Sequence, residues 1–177
     1  MLSITVLPVE YWDEEKQEFV TKGKKQTLQL EHSLVSISKW ESKWGKAFLG
    51  KKDKTTEETL DYIKFMTLTQ NVDPEVYECL SNDNVDEIKR YIQSPMTATF
   101  FSKEEGGGPS RRIVTAELIY CWMIALNIPF ECQKWHLNRL LTLIRVCKNE
   151  NSPSKKRSAK ERAALNAARR KRLNSKG

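Results

Sequence analysis

The sequence predicts an α+β protein that is mainly α-helical, with a small N-terminal β-hairpin or sheet, a compact helical bundle and a basic C-terminal arm. Residues 2–7 and 26–31 alternate apolar and polar side chains, which is typical of half-buried strands. Between residues 33 and 148 apolar side chains recur every three or four positions, which predicts about five to six helices. Residues 148–177 hold eleven Lys or Arg and two Glu, so this arm is strongly basic.

The N-terminal β element is expected to cover residues 1–32. Its two alternating segments predict the outer strands, and Glu18–Thr21 predicts a further strand before a turn at Gly23. The acidic run Asp13–Glu15 is expected in a turn as solvated charge.

Capping residues predict the first helices of the body, which spans residues 33–148. Ser33 caps a helix that ends near Gly50, and Thr55 with Glu58 caps a second one that runs to about residue 70. Asp73 followed by Pro74 predicts a short third helix. A fourth is predicted from Asn84 and Glu87 at its start and from Ser94–Pro95 at its end.

Two very apolar helices are predicted in the second half of the body. Thr115 caps AELIYCWMIALN, which is apolar nearly all round and is therefore expected at the centre of the core. The next helix is expected from about Phe130 to Lys148. Before both helices, residues 96–112 predict a loop with a glycine run and an apolar anchor at Phe100–Phe101.

The charge is unevenly distributed. The whole chain carries +7, whereas residues 148–177 carry +9, so residues 1–147 carry −2. A near-neutral body with a cationic arm (residues 149–177) is unlike a uniformly basic nucleic-acid-binding domain. The arm is rich in Ala and Arg and can form a helix, but it has no aromatic side chain for base stacking. We therefore expect it to bind nucleic acid only nonspecifically.

The sequence indicates no enzyme. His32 and His136 belong to no recognisable nucleophile motif, and the glycine run lacks the Lys-Ser/Thr of a phosphate loop. The four cysteines are widely spaced without a CxxC motif, as expected for reduced, buried thiols of a cytoplasmic protein. No apolar run approaches the roughly 18 residues of a membrane span. We predict no catalytic residue, no cofactor, no metal and no membrane partner.

Protein–protein contact is the remaining class of site. Trp40 and Trp44 lie one helical turn apart and are flanked by lysines; core packing is the favoured interpretation, and an exposed anchor is the alternative. The candidate partner-binding residues are Trp40, Trp44, Phe100, Phe101, Arg169, Arg170, Lys171 and Arg172.

Five segments together carry a family resemblance: LEHSLVSISKWESKW, TTEETLDYIKFMTLTQNVDP, PMTATFF, ELIYCWMIALNIPFECQKWHLNRLLTLIRVC and SAKERAALNAARRKRLNSKG. They resemble a family of small proteins encoded in the structural-gene region of long-tailed bacteriophages, the tail assembly chaperones. The resemblance implies a protein of the host cytoplasm that binds and solubilises the phage tape measure protein and helps recruit tail-tube subunits. It also implies that this chain is the short form of a pair in which a frameshift extends the longer form.

Two other classes stay open. A structural virion protein, a connector or tail component, would have its basic arm ordered by neighbouring subunits or DNA and would be found in the virion. A nucleic-acid-binding regulator fits the acidic body less well. The oligomeric state is also open, with a homo-oligomer as one option.

Overall fold

The structure is a computed structural model that describes residues 1–50, 53–101, 113–151 and 166–170. It divides into two compact units, Met1–Cys147 and Lys148–Gly177. The first unit contains both the β element and the helical body. In the second unit residues 166–170 are helical and exposed, and the rest of the helix expected in the arm lies outside the described residues.

The predicted α+β fold class is confirmed. Four strands form two small antiparallel sheets, and helices follow. The strands are β1 (Leu2–Val6), β2 (Val9–Asp13), β3 (Glu18–Lys22) and β4 (Gln26–Leu30). The helices are α1 (Leu34–Trp44), α2 (Thr56–Met66), α3 (Pro74–Glu78), α4 (Asn82–Gln93), α5 (Ala116–Ala125), a 3-10 helix (Phe130–Lys134) and α6 (Leu137–Asn151).

The two strands predicted from alternation pair with each other. β1 and β4 are antiparallel, with Leu2 opposite Leu30 and Ile4 opposite Leu28. Alternate residues of both strands face the core and are almost fully buried: Ile4, Val6, Leu28 and Leu30. The period-two pattern therefore identifies these strands because one of their faces is buried.

The second sheet was only half predicted. β3 occupies the expected position, but β2 fills a segment for which no strand was expected, and the turn begins only after Asp13. β2 has no buried residue. A strand that buries neither face shows no alternation of apolar and polar side chains, so the sequence pattern could not reveal it.

Several predicted caps are confirmed, while four helix boundaries differ. Ser33, Thr55, Asp73 and Thr115 cap α1, α2, α3 and α5 as expected. α1 ends at Gly45 rather than near residue 50, because Gly45 takes the left-handed conformation (φ 60°) that terminates helices. α4 begins after Ser81, whose side chain accepts from the N–H of Asn84; the predicted pairing of Asn84 with Glu87 is wrong.

Long-range pairing decides the other boundaries. α2 stops at Met66 because Thr67 leaves the helix to form a β-bridge with Leu30. The helix predicted from about Phe130 to Lys148 is broken at Trp135, whose backbone is extended. The 3-10 helix precedes this break and α6 follows it.

One short segment, Glu31–Ser33, joins the sheet to the helices. The N–H of Glu31 donates to the carbonyl of Met66 over 2.9 Å, and the carbonyl of His32 accepts from the N–H of Leu137 over 2.7 Å. Ser33 caps α1 and forms a bridge with His136. The ends of β4 and α2 and the starts of α1 and α6 thus meet at three consecutive residues.

A buried carboxylate joins α1 to α5. Glu41 is 8% exposed, and its two oxygens accept from the backbone N–H groups of Phe48 and Ala116, each over 2.7 Å. Ala116 is the first residue of α5, so the carboxylate also lies at the positive end of that helix dipole. Glu41 therefore holds both the loop after α1 and the start of α5.

We predict that Glu41→Gln destabilises the first unit by about 1–3 kcal/mol, because one buried N–H would face an amide NH₂ instead of an acceptor. Urea unfolding followed by circular dichroism measures this loss. Ser42→Ala, a change at the exposed neighbour in the same helix, is the control. Equal unfolding midpoints for the Gln variant and the wild type would contradict this role of Glu41.

Candidate protein-binding surface

The most exposed group of aromatic side chains lies on the hairpin formed by β2 and β3, which we call the aromatic hairpin (residues 9–22). Tyr11 and Trp12 are each 47% exposed and Phe19 is 72% exposed. Trp12 lies opposite Phe19 in the register, with ring centroids 5.1 Å apart in an edge-to-face arrangement. Tyr11 lies opposite Val20, and by strand alternation this pair occupies the other face. Both faces of the hairpin therefore present apolar surface.

Local contacts fix the tip of the aromatic hairpin. The Asp13 carboxylate accepts from the N–H groups of Glu15 and Lys16, over 3.0 and 3.2 Å. The N–H of Gln17 donates to the Asp13 carbonyl over 2.8 Å, and Gln17 itself has a positive φ of 56°. Asp and Asn side chains stabilise tight turns in this way.

Its base is attached to α3. Lys22 forms an ion pair with Glu78, and the Cys79 thiol donates to the carbonyl of Lys22 over 3.3 Å. Gly23 follows with a φ of +76°, and a Cβ at this position would lie 2.7 Å from the Cys79 sulfur. Only glycine suits this junction, because both the backbone conformation and the space exclude a side chain.

A second apolar surface covers the outside of α5. The prediction that this helix lies at the centre of the core is wrong: only Ala116, Ile119 and Met123 are buried, and Ile124 is 63% exposed. Cys121 is also exposed, although all four thiols were expected to be buried. A helix that is apolar on every side can be buried on every side. Its composition does not say whether the same chain provides all of the contacts that bury it.

The structure separates the two predicted tryptophan candidates. Trp40 is 1% exposed, and its indole N–H donates to the carbonyl of Glu58 over 2.8 Å. It is a core residue, so the alternative of an exposed anchor is wrong for Trp40. Trp44 is half-buried, and the centroids of the Trp40 and Trp44 rings lie 6.4 Å apart. The ammonium groups of Lys43 and Lys46 lie 5.4 and 5.8 Å from the Trp44 ring centroid. Its indole N–H has no hydrogen-bond acceptor within the described part of the chain.

The other predicted candidates have different surroundings. Phe100 is 83% exposed, whereas Phe101 is half-buried with the guanidinium of Arg145 4.0 Å from its ring centroid. Arg169 and Arg170 are exposed on the helical segment 166–170. Lys171 and Arg172 lie outside the described residues.

The two histidines, which the sequence separates widely, meet inside the first unit. His32 and His136 are 2% and 4% exposed, and their ring centroids are 5.0 Å apart. His32 Nδ1 shares a 2.5 Å hydrogen bond with the Tyr62 hydroxyl. The Tyr91 ring packs edge-on against His136 at 4.9 Å, and its hydroxyl donates to Glu31 over 2.6 Å.

Both imidazoles are held in the neutral form. His136 Nε2 donates to the carbonyl of Tyr91 over 3.1 Å, and its Nδ1 accepts from the N–H of Asn138, which fixes the neutral tautomer. Burial, reinforced by the neighbouring His136, lowers the pKa of His32 to about 3. Burial also lowers the pKa of His136. Because both rings are closed to solvent, this cluster acts as packing and hydrogen bonding inside the fold.

The described ranges contain neither a metal-binding group nor a helix that could span a membrane. No group of three or more His, Cys, Asp or Glu side chains there could hold a metal ion. Among those same residues, no helix is both long and apolar enough to cross a membrane. Among the described residues the exposed aromatic and aliphatic surfaces form the best-defined candidate site, and exposed apolar patches are common at interaction sites of proteins.

Comparison with protein-family models, with curated proteins and with solved structures finds no match for this chain.

We predict that the first unit loses stability as the pH falls from 7 to 5. The unfolded state binds protons on its histidines below a pKa of about 6.5, whereas the folded state leaves His32 neutral down to about pH 3. Acidification therefore lowers the free energy of unfolding, by about 2 kcal/mol between pH 7 and pH 5 for His32 alone. Urea unfolding at several pH values in this window measures the slope.

His32→Asn places an amide near the Tyr62 hydroxyl but cannot gain a proton in this range, so its slope should be clearly shallower than that of the wild type. The window ends at pH 5 so that the carboxylates contribute little. A wild-type unfolding free energy that does not change between pH 7 and pH 5 would contradict the burial of neutral histidines.

Proposed function

We propose that this protein is a bacteriophage tail assembly chaperone of the host cytoplasm that binds the tape measure protein, keeps it soluble and helps recruit tail-tube subunits. The observation that carries the proposal is the aromatic hairpin, which exposes Tyr11, Trp12 and Phe19 on two faces. The resemblance of five segments of the sequence to phage tail assembly chaperones supplies the identity of the partner.

An exposed aromatic hairpin supports a binding function on physical grounds. A two-stranded hairpin is only marginally stable in water, so covering its faces is favourable. Tryptophan and tyrosine are also enriched among the residues that dominate binding energy at protein interfaces. A chaperone needs such a surface because it must cover apolar groups that its client would otherwise expose to other clients.

The arm fits the same function through charge. Residues 148–177 carry +9, and both described arginines of the segment, Arg169 and Arg170, are exposed. An exposed cationic helix attracts acidic protein surface, and salt screens that attraction. We assign the arm a supporting electrostatic role, with the specific contact made by the body.

The outer face of α5 favours a second candidate, a structural virion protein. Ile124 is 63% exposed on a helix whose one charged residue is Glu117, and Phe130, whose ring lies 6.3 Å from that of Tyr120, is 52% exposed. Permanent subunit interfaces are more apolar than transient ones, and this face has that character. Mass spectrometry of purified virions separates the two candidates, because a chaperone is absent from mature particles.

We predict that co-expression with the tape measure protein raises the soluble yield of that protein, and that Trp12→Thr with Phe19→Thr abolishes the gain. Threonine keeps the β propensity of both positions while it removes the rings. Quantitative immunoblotting of the soluble fraction measures the yield. Leu68→Thr is the control, because Leu68 is 55% exposed outside the hairpin. A soluble yield that is equal with and without this chain would exclude the chaperone function.

We predict that charge reversal of the arm weakens the same effect only in part. Changing Arg169, Arg170, Lys171 and Arg172 to Glu removes electrostatic attraction but leaves the apolar contact intact. The loss should be smaller when the complex is captured at high salt. Complete loss of the soluble tape measure protein at every salt concentration would instead place the specific contact in the arm.

A further inference from the structure

Resting on the chaperone function above, we propose that the aromatic hairpin binds a basic amphipathic helix, one whose apolar stripe is flanked by Lys or Arg. The apolar stripe would cover the Trp12–Phe19 face, as helices pack on sheet faces in folded domains. The flanking cations would be attracted by Glu10, which lies on that face, and by the other carboxylates of the hairpin.

The net charge of the hairpin favours a positively charged partner. Residues 9–22 contain five acidic and two basic side chains, a net charge of −3. Both cations already have partners: Lys16 lies 3.7 Å from Asp13, and Lys22 pairs with Glu78. Within the described ranges, the remaining four carboxylates have no ion pair; these are Glu10, Glu14, Glu15 and Glu18.

These carboxylates border both apolar faces. Strand alternation places Glu10 on the face of Trp12 and Phe19, because it lies two residues before Trp12. Glu18 lies opposite Asp13 in the register and shares the face of Tyr11 and Val20. A ligand that covers either apolar face therefore comes close to unpaired negative charge.

Cations also suit the rings themselves. Elsewhere in this chain Arg139 lies over the ring of Trp135 at 4.3 Å, and Arg145 lies over the ring of Phe101 at 4.0 Å. A guanidinium or ammonium above an aromatic face is attracted by the ring quadrupole. Lys and Arg beside the apolar stripe would thus gain from both the carboxylates and the aromatic rings.

The same charge disfavours the hairpin or the body (residues 1–147) of a second copy as the occupant. Two aromatic hairpins laid face to face would bring two net charges of −3 together, and like charges across an interface are unfavourable. Residues 1–147 as a whole are also net negative, at −2. A positively charged segment of another protein relieves this repulsion instead of increasing it.

Two fluorescently labelled peptides of about 18 residues test the proposal with the full-length chain. Both carry the same leucine stripe, but one has Lys and the other Glu on the polar positions. Fluorescence anisotropy, which is independent of the protein's own tryptophans, measures the affinity of each peptide for the wild type and the variants. The Glu peptide can also bind the basic arm. The two peptides are therefore compared by how much each hairpin variant changes their affinity.

Trp12→Thr with Phe19→Thr should weaken binding of the Lys peptide by at least about tenfold. Glu10→Gln with Glu18→Gln leaves all the rings in place, and should weaken it several-fold at low salt and much less at high salt. Glu57→Gln, a change at an exposed acid of α2, is the matched control and should have no effect. Binding of the Glu peptide should be the same in the wild type and in every hairpin variant.

Equal affinity of the Lys peptide for the wild type and both hairpin variants would overturn the proposal. Equal sensitivity of both peptides to the hairpin variants would do the same, because the site would then not select charge. Self-association that is lost in the aromatic variant would show that a second copy occupies the hairpin. Peptide binding without solubilisation of the tape measure protein would leave this proposal standing and remove the proposed function alone.

Discussion

The three residues Glu31–Ser33 impose the constraint on which the rest of the first unit depends. Their backbone groups pair with Met66 at the end of α2 and with Leu137 at the start of α6, while Ser33 caps α1. Buried backbone donors and acceptors must be paired, so none of these elements can move without breaking a buried hydrogen bond. His32 and His136 pack against each other beside this junction, and burial lowers the pKa of both rings.

The packing of the core leaves some apolar side chains exposed at the surface. Trp40 fills the core and forms a hydrogen bond there, whereas Trp12 lies on a hairpin whose base is attached to α3. The β1–β4 sheet and the helices can pack without that hairpin's faces, so its aromatic side chains contribute little to the core. This arrangement suits the proposed binding of a client through one small exposed surface.

Charge, like exposed apolar surface, is distributed unevenly along the chain. The aromatic hairpin is net negative and the arm strongly positive, so the two can contact different chemistries on one client or on two. In the proposed function the arm would act through long-range attraction, which ionic strength weakens. The hairpin combines carboxylates with aromatic rings, and burial of the rings in the proposed contact would be much less sensitive to salt.

The sequence alone determined the features that depend on neighbours along the chain. The caps at Ser33, Thr55, Asp73 and Thr115 and the alternating strands β1 and β4 were predicted because each signal lies within a few residues. Tertiary structure decided the rest. The meeting of His32 with His136, the early end of α2 at Met66 and the exposure of one face of α5 all depend on contacts between distant segments. A periodic pattern reports that a face is apolar; which surface covers it is settled only when the whole chain packs.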